Sequence, residues 1–249
     1  MINKVFWITG GGSGIGSQLA VKLAKLGNIV IISGRTKSKL EKTSKNDKRI
    51  IPITGDVSNE KDCLKISEFI IKKYKKIDII IFNAATYNPG PIENINPKKI
   101  KSVIDINLMG VINCLSGVLE HMKKREQGHL VFVSSPAGFT GLPGAGIYGV
   151  TKSALTFLAE TLKIELKKFK IKVQVVHPGF VKTPMTDKNK FKMPFLLSSD
   201  EAAKRILSNL ESSNFEIYFP KRLILMMKFL RILPYSIYFN VINKFIRLP

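Results

Sequence analysis

The chain is poor in the residues that anchor metals and disulfides. Its 249 residues include only two cysteines, Cys63 and Cys114, and three histidines, His121, His129 and His177. Two cysteines make no disulfide framework, so a reducing cytoplasm is the expected compartment. The histidines lie far apart with no liganding pattern around them, and no metal site is expected. Acid is scarce as well: 18 Asp and Glu face 40 Lys and Arg, a net charge of +22. Such a balance invites a nucleic-acid partner. The lysines, however, are spread through every segment. There is no zinc finger, no basic stripe interleaved with aromatics and no recognition-helix signature, so no specific nucleic-acid partner is expected. A diffuse positive field favours anionic partners, a membrane surface among them. No run of about eighteen uncharged apolar residues occurs, which argues against a spanning helix. Repeats, low-complexity linkers and composition breaks are also missing, so a single domain is expected to take the whole length.

What is present is an alternation. Residues 4–9 (KVFWIT), 28–33 (NIVIIS), 49–57 (RIIPITGDV), 77–85 (IDIIIFNAA), 129–135 (HLVFVSS) and 171–179 (IKVQVVHPG) read as strands. Between them, 15–26, the stretch GRTKSKLEKTSK, 59–75, 97–123 and 148 to about 169 have helical character, with Ile66, Phe69, Ile70 and Tyr74 as the apolar set of one helix. The opening MINKVFWITGG is too short for a secretory signal and reads as the first strand. Short apolar strands alternating with longer helices predict an α/β fold. The expected form is a Rossmann-like, doubly wound parallel sheet with helices on both faces. Ligands should then sit at the carboxyl ends of the strands, where the polar motifs cluster.

The segment TGGGSGIG, residues 9–16, follows the first strand and opens the first helix. A tight turn, a close backbone approach and free helix N–H groups suit a pyrophosphate, so Gly10, Ser13, Gly14, Ile15 and Gly16 are candidates to bind it. After the second strand come Ser33, Gly34 and Arg35, with Lys37 and Lys39 and no acid before Glu41. A carboxylate there would select NAD; an arginine grips a 2′-phosphate. NADP(H) is therefore the expected cofactor, with NAD(H) as the alternative. Asp56 and Val57 end the third strand, placed for an adenine amino group and an apolar wall. Asn83 and Ala84 end the fourth, where small residues let the backbone approach a cofactor.

The stretch VSSPAGFTGLPGAGIYGVTKSAL, residues 133–155, carries Ser135, then Tyr148 thirteen positions on, then Lys152. Tyr148 and Lys152 share one helix face. A free tyrosine is a poor acid or base near neutrality, but a neighbouring ammonium favours its phenolate. Lys152 is also placed to hold the nicotinamide ribose. Ser135 can donate to a carbonyl or alkoxide oxygen as charge develops. Ser134 is the alternative serine, and strand alternation lets only one of the two face a site. Asn107 lies mid-helix, where a buried amide needs a reason; holding a water that links Lys152 to solvent is one. A serine-hydrolase reading is weaker, since there is no G-x-S-x-G elbow.

Together these motifs resemble the short-chain dehydrogenase/reductase family. TGGGSGIG is similar to its T-G-x-x-x-G-x-G, NAA at 83–85 to its N-A-G, and YGVTK to its Y-x-x-x-K, with Asn107, Ser135, Tyr148 and Lys152 at its Asn, Ser, Tyr and Lys. Pro178, Gly179, Val181 and Thr183 fall in the loop that the resemblance places over the nicotinamide carboxamide. The resemblance runs from residue 3 to about 220. It implies reversible hydride transfer at C4 of nicotinamide, with Tyr148 exchanging the proton, Ser135 polarising the oxygen, Lys152 tuning the tyrosine and Asn107 completing a relay. It also implies a homodimer or homotetramer joined through the helices at about 97–123 and 148–169. Ala85 and Thr86 depart from the pattern without adding charge.

The lid expected at 183–203 offers Met185, Phe191, Met193, Phe195 and Leu196, which suits an apolar, lipid-like carbonyl or alcohol. The last segment, 221–249, is an extension of the same domain. It follows a strand-like FEIYFP, should form two helices flanking Pro234, and carries six basic and no acidic residues. Peripheral association with an anionic membrane, packing against a partner copy, or a lid over the active site all stay open for it. So does a different class of function: a non-catalytic nucleotide-binding sensor, or a membrane-docked scaffold on the same fold. Substrate identity and the direction of the reaction are not legible.

Overall fold

The computed structural model describes residues 1–90, 96–189 and 191–245; Lys190 of the expected lid and residues 246–249 of the expected tail lie outside the described residues. In chain order the elements are β1 (Val5–Thr9), α1 (Gly14–Lys25), β2 (Ile29–Gly34), α2 (Lys37–Ser44), β3 (Ile50–Thr54), α3 (Glu60–Tyr74), β4 (Ile79–Phe82), α4 (Pro97–Ile104), α5 (Gly110–Lys124) and β5 (Gly128–Val133). They continue as α6 (Gly146–Glu165), β6 (Ile171–Pro178), β7 (Val181–Lys182), β8 (Leu197–Ser198), α7 (Ser199–Leu207), β9 (Glu216–Phe219), α8 (Lys221–Ile232) and α9 (Tyr235–Phe245).

Seven strands form one parallel sheet in the order β3-β2-β1-β4-β5-β6-β9. Alternating side chains sort into two cores. Trp7, Ile80, Phe82, Leu130 and Phe132 pack one face against α3, α5 and α6. Phe6, Ile8, Ile81, Val131 and Val133 pack the other against α1, α2 and α7. Covering on both faces is why these strands read as unbroken apolar runs. The chain winds outward from β1 to β3, then returns to place β4 on the far side of β1. The strand order reverses there, and the crevice at the carboxyl ends of β1 and β4 is where this architecture binds ligands.

One departure from the expected elements bears on the site. The helix expected over 97–123 is not uniform: a π-helical turn, Asp105–Met109, separates α4 from α5 and carries Asn107. Such turns change which way a side chain points without ending the helix. The whole run Pro97–Lys124 is long and apolar enough to cross a membrane, with a mean hydropathy of 1.6 over its most apolar window. Its apolar face is instead committed to the sheet through Val111, Cys114, Leu115, Val118 and Met122.

The tail makes two helices on either side of Pro234, and they fold back onto the molecule. Leu223, Ile224 and Met227 of α8 form a third core cluster with Phe139. From α9, Tyr238 and Ile242 are buried, and the Tyr238 hydroxyl donates to the Gly141 carbonyl. Lys228 pairs with Glu216 on β9, whose other carboxylate oxygen lies 2.8 Å from His177 Nδ1.

Candidate active site

The carboxyl ends of β1, β4, β5 and β6 open into a cavity of about 890 Å³, at the large end of the range for ligand pockets. Its floor is the glycine loop. Thr9 fixes that loop to β4: its hydroxyl accepts from the backbone N–H groups of Asn83 and Ala84, both at 3.0 Å. Asn83 Nδ2 answers by donating to the carbonyls of Thr9 at 3.0 Å and Gly10 at 3.2 Å. Gly10 has φ +68°, and a Cβ there would stand 2.8 Å from Ala84 Cα. A Cβ on Gly16 would stand 2.6 Å from the Gly10 carbonyl oxygen. Neither position admits a side chain. Ser13, the N-cap of α1, makes no side-chain cap, so the first N–H groups of a twelve-residue helix are left to a ligand.

Above the loop sit the residues expected to do chemistry. Ser134 and Ser135 leave β5 in opposite directions. Ser134 is buried and ties the strand to α6, its hydroxyl donating to the Lys152 carbonyl at 2.8 Å. Ser135 lines the cavity, and its hydroxyl accepts from the Ala137 N–H at 3.2 Å. Tyr148 and Lys152, one turn apart on α6, line the same wall, with Lys152 Nζ 5.5 Å from the tyrosine ring centroid. Lys152 is buried, and its Nζ donates to the Val133 carbonyl at 2.7 Å. Burial pushes the Lys152 ammonium down to about 8. Burial also pushes the Tyr148 phenol up to about 12, against the pull of the Ser135 hydroxyl, and the Tyr87 phenol adds to the rise. The free protein at neutral pH therefore holds a protonated phenol beside a mostly charged lysine.

Asn107 does not line the cavity. It supports the cavity from behind: Oδ1 accepts from the Thr86 N–H at 2.7 Å, while Nδ2 donates to the Thr86 carbonyl at 3.0 Å and the Thr151 hydroxyl at 3.2 Å. The next residue, Tyr87, lies edge-on to Tyr148 with ring centroids 4.9 Å apart. Nothing in the sequence pattern marked Tyr87, because loop length alone decides where it lands.

Of the other expected residues, Ser13, Ile15, Ala84, Pro178, Gly179, Val181 and Thr183 line the cavity with Gly10, Gly14 and Asn83. Gly16, Arg35, Asp56 and Val57 do not. Arg35 and Asp56 stand together outside it, 3.9 Å apart, at the ends of β2 and β3. Lys39 comes close to the loop, its Cβ being 3.1 Å from a Cβ built on Gly12. Val57 packs against Gly110 at the start of α5.

The remaining wall is mostly apolar, with Thr186, Asn189 and Lys192 among its members, and two segments supply much of it. The lid segment contributes Met185 and Phe191. The tail contributes Leu223, Met227 and Leu230 from α8 and Ile242 from α9. Of the readings open for the tail, the lid over the site is the one this geometry displays.

A sequence model of the short chain dehydrogenase family matches residues 4–193. An uncharacterized oxidoreductase of Myxococcus xanthus (strain DK1622) is 30% identical over 231 residues, 91% of each chain. The solved structure of ElxO with NADP bound superposes with a TM-score of 0.78 at 26% identity, covering 87% of this chain and 98% of that one. The 3-ketoacyl-(acyl-carrier-protein) reductase of Brucella melitensis, complexed with NADH, gives a TM-score of 0.80 at 25% identity over 87% of this chain and 95% of that one.

Proposed function

Because the chain belongs to the short-chain dehydrogenase family, we propose that it is an NADP(H)-dependent oxidoreductase interconverting an apolar carbonyl compound and its alcohol. The observation that carries this reading is the placement of Lys152 beneath the Tyr148 ring with Ser135 on the same wall of a cavity floored by a glycine loop. The loop fits a dinucleotide: side chains are excluded at Gly10 and Gly16, and uncapped N–H groups face the cavity. A bound nicotinamide supplies or accepts the hydride.

The chain's own residues handle the proton and the oxygen. In the reducing direction the Tyr148 hydroxyl gives its proton to the substrate oxygen, and in the oxidising direction the phenolate takes one back. Ser135 donates to the same oxygen and stabilises its developing charge. The Lys152 ammonium stabilises the phenolate. Asn107 has committed one lone pair of Oδ1 to Thr86; the second is free to hold a relay water behind Lys152. Gly10, Ser13, Gly14 and Ile15 take the pyrophosphate. Asp56 and Val57 take the adenine, and Pro178, Gly179, Val181 and Thr183 take the carboxamide.

NADP(H) is preferred here because Arg35, Lys37 and Lys39 follow β2 with no acid before Glu41. The Arg35–Asp56 contact is long and exposed, so it holds the guanidinium by less than about 1 kcal/mol and leaves it free for a 2′-phosphate. The substrate is apolar because Met185, Phe191, Leu223, Met227 and Ile242 line the same cavity as Tyr148. Residues 1–220 form the dehydrogenase domain, and 221–249 complete it. The assembly is a homodimer or homotetramer through α5 and α6, where Val150, Phe157 and Ile164 are 60–77% exposed at seven-residue intervals. The location is cytoplasmic, with the tail peripheral to the membrane.

Titrating the protein with NADPH and NADH by fluorescence tests the reading. Tighter NADPH binding, with the preference lost in Arg35→Ala, supports it. Binding of neither cofactor rejects the enzyme, and equal NADH binding rejects the role of Arg35.

A further inference from the structure

The helices α8 and α9 have two apolar sides. The inner side is accounted for by Leu223, Ile224, Met227, Tyr238 and Ile242, which are buried, and of these Leu223, Met227 and Ile242 line the cavity. The outer side is not. Leu225, Met226, Phe229, Ile232, Ile237 and Phe239 are all about half exposed or more. On α8 the exposed residues Arg222, Leu225, Met226, Phe229 and Ile232 recur at helical spacing, so they form one stripe headed by a cation. Lys221, Arg231 and Lys244 are exposed beside it, and 221–245 holds no acidic residue. Lys228, the remaining cation of α8, turns inward to Glu216.

Apolar side chains in a stripe whose charged neighbours along 221–245 are all cations match the boundary of an anionic bilayer, where acyl chains lie beneath phosphates. A second copy of the chain is the other occupant to weigh. That role already has a surface in the stripe of Val150, Phe157 and Ile164 on α6, which carries Glu160 and Glu165 among its charges. A copy of this protein, at +22, would also meet the tail with like charge.

The geometry points to α8–α9 as a docking face for an anionic leaflet that also gives the cavity a side entrance. Met226 joins the two functions, since it lines the cavity and is 51% exposed on the outer stripe. The substrate class follows, resting on the enzyme reading above: an amphiphile whose apolar chain passes from the leaflet beside Met226 while its oxygen reaches Tyr148.

The test uses the full chain with flotation on phosphatidylglycerol vesicles and on phosphatidylcholine vesicles. The double variant Phe229→Ser/Ile232→Ser removes two exposed side chains that do not line the cavity. A Met226→Cys protein labelled with an environment-sensitive dye reports insertion at the mouth. Wild type is expected to float with phosphatidylglycerol only, in a salt-sensitive way. The double variant should lose at least about tenfold in partitioning while keeping its NADPH affinity, and the dye should shift to the blue on phosphatidylglycerol. Equal flotation with phosphatidylcholine, flotation retained by the double variant, or an unshifted dye each overturns the inference. So does a double variant that dissociates into smaller oligomers when wild type binds no vesicle, which would assign the face to a second copy. NADPH binding without vesicle binding sinks the docking face alone. Vesicle binding without NADPH binding sinks the enzyme and leaves the docking face standing.

Discussion

At the proposed cofactor end of the cavity the wall is backbone: Gly10, Gly14 and the N–H groups that open α1, held by Thr9 and Asn83. At the proposed substrate end it is side chain: Met185 and Phe191 from the lid, Leu223, Met227 and Ile242 from the tail. Backbone recognition tolerates no added atom, since a Cβ at Gly16 would collide with a carbonyl oxygen. Side-chain recognition by methionine and leucine tolerates repacking. One end should therefore be all-or-none toward mutation, the other graded. The group at the junction, Tyr148, should be the most sensitive of all.

Tyr148→Phe tests the junction. Turnover should fall by at least about 10²–10⁴-fold with NADPH affinity unchanged, measured by steady-state rates beside a fluorescence titration. Retained turnover would remove the tyrosine from the chemistry. Gly16→Ala tests the backbone end. The new Cβ must displace both the Gly10 carbonyl and Asn83 Nδ2, which should weaken NADPH binding at least about tenfold and lower stability by roughly 1–3 kcal/mol. The matched change at the other end, Met227→Ala, should leave NADPH affinity within about twofold and shift KM among ketones of different chain length. A Met227→Ala protein that loses NADPH affinity as Gly16→Ala does would break the comparison.

Two smaller effects follow from Lys152. Its ammonium, depressed to about 8 by burial, is charged below that pH and neutral above it. Ketone reduction needs the charge to stabilise the phenolate, so kcat/KM should decline as pH rises through about 8, and Lys152→Met should lose that limb of the profile. The stability effect has the opposite sign. The burial penalty is fully present below about pH 8. It fades toward the ordinary value of 10.5, because the native lysine sheds its proton before the unfolded one does. Urea denaturation at pH 7 and pH 10 should show wild type gaining on Lys152→Met by up to about 3 kcal/mol. A wild type that gains nothing over this range would place the lysine in water, because its proton would then leave the native and unfolded chains at the same pH.

The glycine-loop end of the cavity was legible in the sequence because its determinants are local. A strand, a glycine run and a helix start are contiguous between residues 5 and 25, and the φ demanded of Gly10 and Gly14 names glycine directly. The Ser134–Ser135 pair was legible only in part: both residues line the cavity, but the Ser134 hydroxyl is spent on the Lys152 carbonyl. The substrate end was legible only as composition. The tail's apolar and basic character was plain, yet which of its sides would close the cavity was not. Leu223, Ile224 and Met227 pack with Phe139, and Tyr238 reaches Gly141 from 97 positions away; periodicity says nothing of distant partners. Tyr87 and the π-turn at Asn107 were unreadable for the same reason: one depends on a loop's path, the other on how α4 and α5 seat against the sheet.

By itself, then, the sequence determined the parallel sheet, the loop that admits no side chain and the Tyr148–Lys152 pair, because each is written within a few residues by steric and periodic rules. The tertiary structure alone decided that the tail folds back to line the cavity that holds Tyr148, that Asn107 braces Thr86, and that Lys152 loses enough water to shift its ammonium to about 8. Those outcomes depend on which distant surfaces exclude solvent from one another, and burial belongs to the packed chain rather than to any segment of it.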